Sequence, residues 1–386
     1  MEGTEKYVTD RNISLEETNP RKEDPLVTVI VVHHRGHEIL QRCLESLFNS
    51  NYDNFKVILV DNGSEDGSVE YVEKLYHEKL EVIRSEVNLG FAKGYNLVLG
   101  KVNSKYVVLL NDDTVLDSNW LKFLVQASEK NPSIGSCQPK LKSFTTSNYF
   151  EYNGACGGIL DIYGTPLCRG RIFDFAEEDK GQYDTTAEVF WASGAAMFLR
   201  TKVLRETGLL DEMLYAHMEE IDLSWRMRLL GYHVLCVPQS VVYHVGGSTW
   251  ANRPLQEQLY LKHRNNLIVM LKNYEIHNLI RFFTVRIFLD IGLLIYSLAK
   301  ENGKKSICVL RAYSWILRNF QLVLAARRHV QNRRRVSDNK IISAMVKKSV
   351  AIQYYLLGRK FFSNLHDLPL GLDHYMSRNI AQKSRG

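Results

Sequence analysis

A chain of 386 residues, 45% hydrophobic and 24% charged, is long enough for one large folded domain with an appendage and is neither collagen-like nor disordered overall. Its formal charge of +6 hides an asymmetry: Met1 to Leu261 carries 26 Lys and Arg against 37 Asp and Glu, a balance of −11, whereas Lys262 to Gly386 carries 23 against 6, a balance of +17. The six scattered cysteines include no Cys-x-x-Cys pair, so neither a zinc site nor a disulfide framework is implied, and a reducing compartment fits best.

Residues 1–24 are polar and lack an apolar signal core, which predicts a flexible leader and a cytoplasmic catalytic unit. Val27 to Val32 is a β-branched run, and the following Ile39, Leu40, Cys43, Leu44, Leu47 and Phe48 recur at helical spacing. The pattern repeats: a strand at Lys56 to Val60, a turn through Asp61 to Gly67, a helix from Ser68 to Tyr76, a strand at Leu80 to Ile83, a helix near Gly90 to Leu99 and a strand at Tyr106 to Leu110. Such alternation predicts an α/β fold with a mainly parallel sheet covered on both faces, whose ligands sit at the carboxyl ends of the strands.

After a helix near Trp120 to Lys130, a Gly- and aromatic-rich segment leads to a strand-like run at Val189 to Leu199, a helix from Glu219 to Leu230 and strands around Val234 to Val242. The α/β domain is expected to span 25–250. From 251 to 386 the chain reads as mainly helical and basic. Its apolar stretches, Leu279 to Leu298 and Ser306 to Ala325, are interrupted by Arg281, Arg286 and Asp290 and by Arg311 and Arg318. That suits amphipathic helices lying in the plane of an anionic membrane surface, with nucleic acid not expected as a partner. An ordinary helical subdomain or an oligomer interface with a solvated basic face is the alternative.

Four motifs carry the chemistry. Asp61 opens Asp-Asn-Gly-Ser after a strand, as an acceptor for a base N–H or as a turn and helix cap. Asn88 to Asn96 places Gly90 and Gly94 where backbone can approach a ligand, without forming a dinucleotide fingerprint or a Walker loop. Asn111-Asp112-Asp113 ends an apolar strand in adjacent carboxylates, which need a cation or full solvation. Glu219-Glu220-Ile-Asp222 heads a helix with more acid than capping requires, although Asp222 and Arg226 are also spaced for a structural pair. His244 and Trp191 can each be read as structural residues or as parts of a site.

Read in order, these segments resemble family-2 glycosyltransferases of the GT-A fold, in particular the rhamnosyltransferase-like and galactofuranosyltransferase-like group. The resemblance covers roughly Pro25 to Trp250. It implies that Asp61, Asn88, Gly90, Asn96 and Asp112 bind a nucleoside diphosphate sugar, with UDP or dTDP favoured. It further implies that Asp113 and His244 hold Mg²⁺ or Mn²⁺, that Glu220 is the general base, and that Trp191, Glu219 and Asp222 meet a glycan or lipid-linked acceptor. The expected reaction is a single inverting displacement by an enzyme peripheral to the inner face of the cell membrane. Asn111 and Glu220 stand where many relatives have Asp, and His33-His34-Arg35 replaces an aromatic and an Asn after the first strand. A sugar nucleotidyltransferase would need a Gly-rich basic loop after strand one, and a non-catalytic lipid- or polysaccharide-binding protein would have lost the acids.

Overall fold

The strand-helix alternation closes into one large sheet. The computed structural model describes residues 24–151, 154–246, 254–300 and 303–369. In chain order the first elements are β1 (Val27–His33), α1 (His37–Phe48), β2 (Phe55–Asn62), α2 (Ser68–Leu75), β3 (Leu80–Ser85), α3 (Gly90–Leu99) and β4 (Tyr106–Asn111). Strands β3, β2, β1 and β4 lie side by side and parallel, in register so that His33 sits beside Asp61 and Val32 beside Asn111. Alternate residues of these strands enter different cores. Ile30, Ile58, Val60 and Val107 pack with α3, while Val29, Val31, Leu59 and Val108 pack with α1 and α2.

Beyond β4 the sheet changes direction. The chain continues through β5 (Thr114–Leu116), α4 (Trp120–Glu129) and β6 (Ile134–Ser143), and then through a small antiparallel sheet of β7 (Gly158–Leu160), β8 (Pro166–Cys168), β9 (Arg171–Ile172) and β10 (Phe175–Ala176). It returns as β11 (Ala187–Glu188), β12 (Ala196–Arg200), α5 (Thr201–Thr207), α6 (Glu219–Leu229) and β13 (His233–His244). Strand β12 runs antiparallel between β4 and β6, β13 pairs parallel with β6, and the far end of β13 pairs antiparallel with β5, which sets His244 opposite Thr114. The antiparallel β12 beside parallel β4 marks where the strand order reverses, and the acidic strand ends gather there.

The basic third of the chain forms α7 (Leu255–Asn273), α8 (Ile276–Lys300), α9 (Lys304–Arg318), α10 (Phe320–Arg333), α11 (Asp338–Ile342) and α12 (Val350–Tyr355). The expected boundary near Trp250 falls outside the described residues. Helix α7 is not an appendage: Leu267, Ile268, Val269 and Met270 share the core of the sheet. The stretch from Ser306 to Ala325 is two helices broken at Asn319, not one.

Helix α8 explains its own interruptions. Asn278, Phe282, Arg286 and Asp290 recur every four residues on its buried face, where the Arg286 guanidinium meets the Asp290 carboxylate at 2.9 Å and Tyr313 donates to the same carboxylate at 2.8 Å. With these two charges turned inward, Ile280, Phe288, Ile295 and Leu298 are left exposed on the outer face. Helix α8 is the one described helix whose length and composition suffice to cross a membrane.

Candidate active site

The turn after β4 is fixed before any ligand arrives. The Thr114 hydroxyl donates to the Asn111 carbonyl at 2.8 Å, and Val245 N–H donates to the Asp113 carbonyl at 2.9 Å, so the acidic turn is stitched to the end of β13. Asp113 Oδ1 consequently lies 2.9 Å from His244 Nε2, while Glu151 Oε1 stands 3.1 Å from His244 Nδ1. Burial alone would lower the imidazole pKa, but Asp113 and Glu151 overcome it and hold His244 well above its ordinary value.

Asp113 and His244 suit a divalent cation: one carboxylate and one imidazole at a separation close to that of neighbouring ligands on a small octahedral ion, roughly 3 Å. Among the described residues no three His, Cys, Asp or Glu side chains converge on a complete metal cage. A cation seated here would draw its other ligands from outside the chain, as Mg²⁺ and Mn²⁺ commonly do from phosphates.

Asp112 faces the opposite way. Its Oδ2 is 2.6 Å from His33 Nδ1, and His33 Nε2 is 2.8 Å from the Ser68 hydroxyl, so the end of β1, the turn after β4 and the start of α2 are joined by side chains. Asp61 Oδ1 accepts from the N–H and the hydroxyl of Ser64, at 2.9 and 2.7 Å, which makes it the turn residue the sequence allowed for. Its Oδ2 lies 3.9 Å from Arg84. These contacts show the turn role of Asp61.

Three residues expected to meet the donor do structural work instead. Asn96 donates to the Leu210 carbonyl at 2.9 Å and to Glu212 at 3.1 Å, and accepts from Leu210 N–H at 3.2 Å, so both ends of its amide are used. Asn88 accepts from Gly90 N–H at 2.9 Å and from the Asn62 amide at 3.3 Å. Gly90, at φ +78°, leaves room for the Tyr215 ring, which a Cβ would meet at 2.5 Å. The close approach its missing side chain permits is made by this ring, across the cleft wall.

That ring begins the most strained segment of the chain. Tyr215, His217 and Met218 have φ of +61°, +69° and +74°, a left-handed geometry that costs non-glycine residues free energy and persists only under constraint. The constraint comes from α7. The buried Asn265 amide donates to the carbonyls of Leu214, Ala216 and His217 at 2.7, 2.8 and 2.7 Å, and Arg264 donates to Asn265 Oδ1 at 2.7 and 2.9 Å, fixing the amide's orientation. Helix α6 starts directly after this loop, so Glu219 and Glu220 are aimed by it.

The two glutamates and Asp222 then separate. Asp222 is fully buried, bonded to Arg226 at 2.7 Å and Asn273 at 3.0 Å and paired with Lys272 at 3.0 Å, which corrects the expectation that it meets an acceptor. Glu219 is 4% exposed and forms the inner member of the pair. Burial and the neighbouring Glu220 push its carboxyl well above the usual range. Glu220 opens into a cavity of about 380 Å³ whose wall includes Trp191, His217, Arg171 and Lys262. Burial raises its carboxyl to about 7, near neutral pH, and among the described residues Glu220 Oε2 has no hydrogen-bond partner. Trp191 is mostly core: it donates to the Ile159 carbonyl at 3.0 Å and packs on Gly158, with only its edge available to the cavity.

Sequence reasoning missed Glu151, Arg171 and Asn265. It singled out His33 only as a departure from the family pattern, and the structure sets it beside Asp61 at the end of β1. Arg171 had no signal in the sequence, yet it lines both the Glu220 cavity and a neighbouring one of about 390 Å³ containing His244 and Glu151. Arg171 is thus common to the linings of both cavities. Replacing Asn265 by Leu removes the donors from three carbonyls at once. Unfolding free energy should fall by about 3 kcal/mol, and amide exchange over 214–222 should quicken while that of β1 and β4 stays protected. Unchanged protection of that loop would show that it holds its shape without the clamp.

Comparison with known proteins agrees with this geometry. Residues 28–204 match the family model Glycosyl transferase family 2. An "uncharacterized glycosyltransferase" of Haemophilus influenzae is 29% identical over 217 residues, 54% of this chain and 61% of that protein, so this chain spans less than two thirds of its length. An N-acetylglucosaminyl-diphospho-decaprenol L-rhamnosyltransferase of Mycobacterium tuberculosis is 24% identical over 236 residues, 57% of this chain and 76% of that protein. Among solved structures, GalNAc-T7 with UDP, GalNAc and Mn²⁺ superposes with a TM-score of 0.54 at 16% identity, over 78% of this chain and 58% of that one. The sheet order and this superposition agree on a GT-A-like fold, and residues 28–204 are similar to family-2 glycosyltransferases.

Proposed function

We propose that this chain is an inverting glycosyltransferase that moves a sugar from a nucleoside diphosphate to an acceptor hydroxyl, with Glu220 as general base. The observation that carries the reading is the division of labour between two cavities that share Arg171: His244, 2.9 Å from Asp113 and fit with it for a cation, lines one, and the recessed Glu220 carboxyl, raised to about 7, opens into the other. Asp61 and Asp112 border the donor side. Asp113 and His244 are suited to Mg²⁺ or Mn²⁺, which when bound would offset the charge of the departing diphosphate. UDP and dTDP are the carriers we favour.

On the acceptor side, Glu220 Oε2 has no internal bond to break before it accepts the proton of the attacking hydroxyl. Its low-dielectric setting keeps it basic enough for that task, and Trp191 offers an apolar edge to a glycan or lipid-linked saccharide. The single base calls for direct displacement with inversion. Burial keeps Glu220 from ionising early, and Glu220 in turn raises the buried Glu219, so the two titrate as a pair.

Because the base must be ionised, turnover should rise with pH through about 7 and level off above it. Glu220→Gln should lower kcat by about a hundredfold or more while nucleotide affinity is retained. Normal turnover in Glu220→Gln, with loss in Glu219→Gln, would move the base to the other carboxylate.

We place the enzyme on the cytoplasmic face of the membrane, held by the basic helical third. The apolar outer face of α8, with Phe288 68% and Ile295 64% exposed, and the +17 balance of Lys262 to Gly386 support this reading. Phe288→Glu combined with Ile295→Glu should abolish flotation with phosphatidylglycerol vesicles and leave nucleotide binding intact. Undiminished flotation of the double variant would remove α8 from the contact.

A further inference from the structure

Val285 and Leu289 of α8 face a different cavity from Arg286. This second space, of about 460 Å³, lies between α8 and the segment 347–366, and nothing in the glycosyl-transfer reading uses it. Its wall is apolar, with Val285 and Leu289 on one side and Ile352 and Leu357 on the other. Its rim is cationic, with Lys347, Lys348 and Arg359. Asp367 offsets Lys348 through a 3.1 Å ion pair, and the balance at the rim stays positive.

Gln353 identifies what such a space would hold. It is 2% exposed, and its Oε1 accepts from Arg359 Nη1 at 3.0 Å and from His366 N–H at 2.8 Å. Those two donors fix the orientation of the amide, since the flipped form would set an N–H₂ against both. Among the described residues the Nε2 group is then left buried without a hydrogen-bond partner, in a cavity it helps to line. An orphan donor at this depth is costly unless an acceptor arrives from outside. Three kinds of donor line this cavity: an amide, ammonium groups and the remaining guanidinium N–H groups of Arg359.

We propose that this cavity binds the phosphate of an anionic amphiphile, with the head group on Gln353 Nε2, Lys347 and Arg359 and the hydrocarbon along Val285, Leu289, Ile352 and Leu357. A free anion would satisfy the donors but leave the apolar walls wet. A neutral lipid would leave the donors and the positive rim without a counterpart. Leu356 and Tyr355, 76% and 67% exposed, lie beside Leu357 and continue the apolar surface outward, which gives a long chain a way out of the cavity.

The test is calorimetric titration of the full chain with dihexanoyl phosphatidate, dihexanoyl phosphatidylcholine and inorganic phosphate, all as monomers. Phosphatidate should bind at least about tenfold more tightly than either comparison ligand. Gln353→Glu, which keeps the Oε1 contacts but puts a carboxylate in place of the donor, should weaken it by about tenfold or more. Lys347→Ala with Arg359→Ala should do the same by removing charge, and serves if the first variant does not fold. UDP affinity should be unchanged in both. Equal affinity for inorganic phosphate, binding indifferent to both changes, or no phosphatidate binding at all would overturn the assignment.

Discussion

The arrangement of this molecule depends on one side-chain amide. Asn265 holds three carbonyls of a loop in which three non-glycine residues adopt left-handed backbone, and every acidic residue of α6 takes its direction from that loop. Strain of this kind is stable only where the surroundings over-determine it. The surroundings are Arg264 behind the amide, the Tyr215 ring fitted against Gly90, and Phe91 N–H donating to the Tyr215 carbonyl at 3.1 Å. A helix from the basic third of the chain thereby fixes the loop from which α6 starts.

The second constraint is the cost of concentrating carboxylates. Each acid near the cleft has a different solution: Asp112 has His33, Asp113 has His244, Asp222 has Arg226 and Lys272. Among the described residues the glutamate pair has no cation bonded to it, and burial raises its carboxyls. Lys272 and Arg226 hold Asp222 below the usual carboxylate range, whereas Glu220, raised to about 7, is able to exchange a proton near neutral pH. That contrast, more than the count of acids, separates the residues suited to holding from the one suited to reacting.

Much of this was legible in the sequence. Period-two burial and β-branched runs located the parallel strands, and the acids fell at strand ends because the strands themselves were clear. Asp222 and Asn96 were misread because an acid or amide beside a motif looks the same in sequence whether it faces a ligand or a buried Lys272 or Leu210 carbonyl. Asn265 and Arg171 were invisible, since their roles come from helix packing and a loop crossing far from any motif. In α8 the sequence showed Arg286 and Asp290 as interruptions. Four-residue spacing with Phe282 and Asn278 could have revealed that they share the buried face.

The claim on which the account rests is that Asp113 and His244 join a cation to a nucleoside diphosphate. Calorimetry of UDP with and without Mn²⁺ examines it without knowledge of the sugar or the acceptor. UDP should bind only in the presence of Mn²⁺, and Asp113→Asn should abolish that dependence together with most of the affinity. Tight UDP binding that survives both chelation and Asp113→Asn would contradict the account.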